Sequence, residues 1–146
     1  MTDTKSLQGL EEFDNHELVA SLVDRKSGLR AFVAIHNTNL GPATGGTRYW
    51  HYRSEKDAIR DVLRLSRAMT YKCALARVPH GGGKGVIIGN SHHPHKKKMF
   101  AVYGRRINLL GGSFYTGEDV GVDPDDIRVL ERNSRFIIGR EKFAGD

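Results

Sequence analysis

Met69-Thr-Tyr-Lys-Cys-Ala-Leu-Ala-Arg-Val-Pro-His-Gly-Gly-Gly-Lys-Gly85 sets two lysines, Lys72 and Lys84, on either side of a proline and three consecutive glycines. Upstream, Ala58, Val62, Leu65 and Met69 recur at steps of four, three and four, the spacing of one helix face. The next step of three lands on Lys72. The pattern predicts a helix from Ser54 to about Ala76 with Lys72 on its buried stripe, where a charge is costly unless paired. The same position also fits a lysine at a frayed helix end with its head in water. Lys56 falls off the stripe. Ser54 with Asp57 three residues on resembles a capping box, and Pro79 forbids much continuation.

Downstream, Gly85-Val86-Ile87-Ile88-Gly89 is short and β-branched, which predicts a buried strand. The glycines before it are costly to order, so they belong where backbone approaches something closely or turns at positive φ. That placement exposes Lys84 to a small substrate, or else makes a solvent-facing hairpin. A P-loop needs Gly, four residues, then Gly-Lys-Ser/Thr, and here Val78 and Gly85 stand at its two ends. No G-x-G-x-x-G occurs either, so the dinucleotide fingerprint is absent.

Outward from this stretch, residues 1–15 read as a loose lead-in with a helical turn near Leu7 to Phe13. His16 to Asp24 and Leu29 to Ile35 alternate around Arg25-Lys26-Ser27-Gly28 and predict a β-hairpin, with Leu29, Ala31, Val33 and Ile35 on one face. Asn37 to Thr47 is a loop whose Gly45-Gly46 permits backbone to line a pocket, and Arg48 to Tyr52 is extended. A second helix spans about His95 to Leu110, with Met99, Val102, Tyr103 and Ile107 inward, and Gly111-Gly112 ends it. Phe114-Tyr115-Thr116 is a strand running into Gly117-Glu118-Asp119-Val120-Gly121. Asp123-Pro124-Asp125-Asp126 opens a third helix with an N-cap, a proline at the first position and acids in the first turn. Ser134 to Gly139 returns as a strand. Strands alternating with helices predict an α/β fold: a mixed parallel and antiparallel sheet covered by helices.

The 146 residues suffice for one domain with a modest core. Hydrophobic content of 38% against 27% charged fits a soluble globular protein on the polar side. Cys73 stands alone, so no internal disulfide can form and a reducing compartment, the cytoplasm, is expected. There is no long apolar run and no signal-peptide build, so no membrane partner is expected. The net charge of +6 invites a nucleic-acid reading. Its tight run, Lys96-Lys97-Lys98, comes without a groove-binding motif, so a solvated helix face is expected instead. His92, His93 and His95 lack a cysteine or carboxylate in register, so no metal site is expected.

If Lys72, Lys84 and Asp119 share one pocket, two ammonium groups cannot both keep ordinary acidity. One holds an anion, most simply a carboxylate, the other serves as general base, and Asp119 carries a second proton. That set suits conversion between an amino acid and its keto acid.

Four runs, Leu40 to Arg48, Asp61 to Lys72, Gly81 to Gly89 and Thr116 to Gly121, carry a resemblance. The chain resembles the N-terminal substrate-binding domain of the glutamate/leucine/phenylalanine/valine dehydrogenase family, and is most similar to its leucine dehydrogenase branch. The resemblance implies NAD-linked oxidative deamination of an L-amino acid to its 2-keto acid and ammonia. It implies Lys72 on the substrate carboxylate, Lys84 as the base that activates water, and Asp119 handling protons at the amino group. It implies that Gly45, Gly46 and Met69 line the substrate site, and that the domain builds a homo-oligomer. Thr44 and Gly117 fall at side-chain pocket positions where branched-chain enzymes commonly carry Leu and Ala, so a roomier, more polar pocket follows. Gly85 stands where many leucine-type members have Ala. The implied division is a lead-in over 1–15, a substrate-binding and oligomerisation domain over 16–140, and a truncated linker over 141–146 towards a missing dinucleotide-binding domain. No cofactor-binding residue is therefore assigned here, and this chain is expected to be inactive alone. The alternative is a non-catalytic oligomerisation or amino-acid-binding remnant.

Overall fold

The computed structural model describes residues 6–139, so the expected linker over 141–146 lies outside the described residues. After a 3₁₀ turn at Leu7–Gly9, strands β1 (Leu18–Asp24) and β2 (Leu29–Asn37) form the expected antiparallel hairpin. Two short strands follow, β3 (Ala43–Thr44) and β4 (Thr47–Trp50), then α1 (Glu55–Leu75) and β5 (Gly81–Ile88). The chain continues through α2 (Lys96–Asn108), β6 (Phe114–Tyr115) and α3 (Pro124–Asn133). One mixed sheet in the order β1-β2-β5-β3-β6, with β4 also paired to β5, bears out the α/β expectation. β5 runs antiparallel to β2 and parallel to β3 and β4.

Side chains alternate across this sheet, and both faces are covered. Ala31, Val33 and Ile35 of β2 join a cluster with Met99, Phe100, Tyr103 and Ile107 of α2 and Leu130 of α3. Phe32 and Ala34 point the other way, onto Ala58, Val62 and Leu63 of α1. Each fully buried Val or Leu of this kind contributes about 1.5–3 kcal/mol. Leu10 and Phe13 pack on the α1 side as well. There His16 is buried. Its Nε2 donates to the Leu63 carbonyl at 2.8 Å, its Nδ1 accepts the Asp14 N–H at 3.1 Å, and its ring meets His36 edge-on at 4.8 Å.

Helix starts follow their signals. Ser54 accepts the Asp57 N–H, and Asp123 and Asp126 form a reciprocal capping box at α3 with Pro124 in its first turn. Three expectations change. The glycines are not a turn before the strand. Gly81, Gly82 and Gly83 lie inside β5, and none has positive φ. A Cβ on Gly82 would stand 2.1 Å from both the N and Oγ1 of Thr70, so its bare face is what seats α1 on the sheet. The expected strand over Ser134 to Gly139 reduces to one parallel bridge between Thr116 and Ile137. Lys96 is not on a solvated face, unlike exposed Lys97 and Lys98. It bonds Asp126 at 2.8 Å and the Gly121 carbonyl at 3.0 Å, and lies over the Tyr49 ring.

Candidate active site

Alternation decides where Lys84 points. Its cross-strand partner Ala34, and Val86 two residues on, both lie in the cluster under α1. Lys84 therefore faces α1 and is 6% exposed, where an ammonium without a partner is costly. Its Nζ donates to Oδ2 of Asp119. The open space expected around the lysine head is thus filled by a carboxylate.

Asp119 arrives there because the chain after β6 stays bonded alongside β4. The Thr47 N–H donates to the Gly117 carbonyl at 2.8 Å, and the Tyr49 N–H to that of Val120 at 2.9 Å. Gly46 allows the approach, since a Cβ there would lie 2.2 Å from the Glu118 carbonyl oxygen and 3.1 Å from Asp119 Cβ. The second oxygen of Asp119, Oδ1, accepts Arg48 Nε at 3.0 Å and the Val120 N–H at 2.5 Å. Burial pushes the Asp119 carboxyl up, but the bonds from Lys84, Val120 and Arg48 outweigh it and hold the group below the usual carboxylate range.

Arg48 continues the series. Its Nη1 donates to Oδ2 of Asp61 at 3.3 Å, the Tyr52 hydroxyl donates to the same oxygen at 2.5 Å, and Arg64 donates to Asp61 Oδ1 at 2.6 Å. Burial opposes the Arg48 charge, yet Asp119 and Asp61 raise its affinity for the proton. Burial and the Asp61 carboxylate push the Tyr52 phenol far up, so it remains a donor. Charges thus alternate from β5 to α1: Lys84, Asp119, Arg48, Asp61, Arg64. A cleft of about 480 Å³ opens at the far end, lined by Trp50, Tyr52, Asp61 and Arg64 among others.

Met69 of α1 lies against the glycine pair, its Cγ 3.3 Å from where a Gly45 Cβ would be. Ala43 belongs to the α2-side cluster, so alternation turns Thr44 towards the α1 face. Gly117 has Ile138 across its open side, 3.4 Å from where its Cβ would stand. Lys84, Asp119, Gly45, Gly46 and Met69 are brought together, with Thr44 and Gly117 on the flanks. Lys72 departs from expectation. It is exposed in the last turn of α1, not on the buried stripe, which consists of Ala58, Val62, Leu63, Ser66 and Cys73. Cys73, the next residue, is 4% exposed, so it is the phase of the helix that turns Lys72 away from the sheet. Among the described residues, no hydrogen bond or ion pair joins Lys72 to Lys84 or Asp119. Sequence reasoning missed Arg48, Asp61, Tyr52 and Ile138; only the alternation of Arg48 with buried Thr47 and Tyr49 hinted at the first.

The sequence profile described as "Glu/Leu/Phe/Val dehydrogenase, dimerisation domain" matches residues 16–139. The chain belongs to the Glu/Leu/Phe/Val dehydrogenase family. Phenylalanine dehydrogenase of Caldalkalibacillus thermarum is 44% identical over 93% of this chain and 37% of its own length. Leucine dehydrogenase of Bacillus subtilis is 45% identical over 89% of this chain and 35% of its own. The crystal structure of L-tryptophan dehydrogenase from Nostoc punctiforme is similar with a TM-score of 0.81 at 43% identity, over 84% of this chain and 37% of that one. The chain thus spans little more than a third of the family members it matches. Members named for different amino acids match at nearly equal identity, so identity alone does not single out the leucine branch.

Proposed function

We propose that residues 16–140 form the substrate-binding and oligomerisation domain of an NAD-dependent amino-acid dehydrogenase that converts an L-amino acid to its 2-keto acid and ammonia. The observation that carries this reading is the buried Lys84 paired with Asp119 beside the Gly45-Gly46 backbone. Asp119, ionised, takes a proton from the substrate's ammonium group and later returns it to the departing amino nitrogen. Lys84, entering the step as the neutral amine, takes a proton from water as the water adds to the substrate's imine carbon. Lys72, exposed in the last turn of α1, reaches the substrate carboxylate as a point charge. Gly45, Gly46 and Met69 line the substrate, and Thr44 and Gly117 border its side chain. Ile138 adds an apolar wall, which fits an aliphatic side chain of the leucine type.

A nicotinamide, when bound, would supply the acceptor for the hydride on the substrate Cα. No residue of this chain is assigned to hold it, and its site belongs to the length of the relatives that this chain does not cover. The family description as a dimerisation domain supports a homo-oligomer. No helix among the described residues is long and apolar enough to cross a membrane. The free, buried Cys73 supports a reducing compartment, the cytoplasm, as its location. The test is a chimera joining this chain to the remaining length of a relative. Lys84→Ala should lower turnover by about 10²-fold or more with substrate still binding. An unchanged rate would remove Lys84 from the mechanism.

A further inference from the structure

The ion pair between Lys84 and Asp119 uses one carboxylate oxygen. A free carboxylate has two equivalent oxygens and a broad, roughly two-fold χ2, so it can turn and take a proton on either. In this fold the second oxygen is occupied. Arg48 Nε and the Val120 N–H both donate to Oδ1 of Asp119. A guanidinium does not give up its proton near neutral pH, so Arg48 holds that oxygen without entering the exchange. Its fork spans two acids at once, Nε on Asp119 and Nη1 on Asp61. Asp61 is in turn held by Tyr52 and Arg64. An ammonium lacks the fixed donor directions with which this fork holds the two carboxylates.

We propose that Arg48 is a positioning residue: it occupies Oδ1 of Asp119, so that Asp119 handles protons only through Oδ2, the oxygen bonded to Lys84, and Asp61 keeps Arg48 in place. This rests on the reading of Lys84 and Asp119 as the proton-handling pair. The groups facing Asp119 are Lys84 of β5 and Arg48 of β4, with Asp61, Arg64 and Tyr52 behind them.

The test follows the Asp119 carboxyl carbon by ¹³C NMR across a pH titration of this chain, in the parent and in Arg48→Gln, Arg48→Lys and Lys84→Met. In Arg48→Gln the Asp119 midpoint rises by about one pH unit, the low end of the effect of a close opposite charge. Arg48→Lys, which keeps the charge and loses the fork, falls between the two. In the chimera, Arg48→Lys lowers kcat by about tenfold with KM unmoved, the mark of a group that orients chemistry and does not hold substrate. An unmoved Asp119 in Arg48→Gln, with a raised one in Lys84→Met, overturns the role of Arg48 and leaves the Lys84–Asp119 pair standing. An unmoved Asp119 in Lys84→Met instead overturns the pair itself. If Arg48→Gln does not fold, Arg48→Lys decides: a raised midpoint supports the proposal, and an unchanged midpoint with unchanged kcat rejects it.

Discussion

Lys84 and Asp119 lie 35 residues apart in sequence and meet side chain to side chain on the sheet face that α1 covers. Each arrives by a different device. Strand alternation aims the lysine, and a glycine at position 46 lets the acid's segment close against β4. Neither device involves Lys72, so the two lysines of the Met69–Gly85 stretch should respond differently to replacement.

Lys72→Ala should leave the melting temperature of the chain nearly unchanged, a difference within about 0.5 kcal/mol, as for surface sites without a partner. In the chimera the same change should raise KM for the amino acid with a smaller effect on kcat. An unaltered KM would count against a carboxylate role for Lys72.

Stability should fall in two steps on acidification. His16 is pushed below its ordinary 6.5 by burial, against which the Leu63 carbonyl works to raise it. The unfolded chain therefore binds its proton first, and the His16 contribution, complete above about pH 6.5, is lost as pH falls towards the folded value. Asp119 is held below its ordinary 3.8, so its contribution is present above that pH and lost as pH falls through the lower folded value. Thermal melts should show His16→Gln removing most of the upper step while leaving the lower one. A melting temperature flat from neutrality to about pH 5 would reject the His16 assignment.

A Cβ on Gly85 would stand 2.0 Å from the hydroxyl of fully buried Tyr103, which bonds Thr47 at 2.7 Å. Gly85→Ala should destabilise the chain by about 1–3 kcal/mol through overpacking. In a Tyr103→Phe background the penalty should shrink, because the clashing oxygen is gone. Denaturant melts of the four variants give the coupling energy, and strict additivity would mean that the helix moves away instead.

Lys96→Ala should cost about 2 kcal/mol or more, because Asp126, 2% exposed, loses its cation while keeping only its capping bond. Lys97→Ala and Lys98→Ala should each stay within about 0.5 kcal/mol. Equal effects at all three positions would show that the run acts as one charged patch.

What the sequence disclosed here was local. Ser54, the four-three-four spacing and Pro79 place α1 within a residue or so at each end, and Asp123 with Pro124 does the same for α3. The glycines were legible as a close approach, but not as strand. Only the three-dimensional seat of Thr70 on Gly82 shows that a helix fills the missing side-chain space. Lys72 continued the expected stripe and still came out exposed, because the buried stripe runs instead through Ser66 and Cys73, a phase that turns Lys72 away from the sheet. Ile137 keeps a single bridge to Thr116 because only one residue of the returning segment reaches the sheet. Lys84 and Asp119 stood out from their motifs. The link from Arg48 to Asp61 joins a strand to a helix, and no spacing rule along the chain predicts it.

β5 is flanked on one edge by β2 and on the other by β3 and β4, with α1 laid across it. Lys84 sits inside this most heavily bonded strand, whereas Asp119 has exposed neighbours, Glu118 and Val120, on either side. Amide hydrogens around Lys84 should therefore exchange with solvent only when the whole sheet opens, and those around Asp119 in far smaller openings. The pair should therefore part from one side, with the base held in the framework and the acid's segment setting how often the two separate.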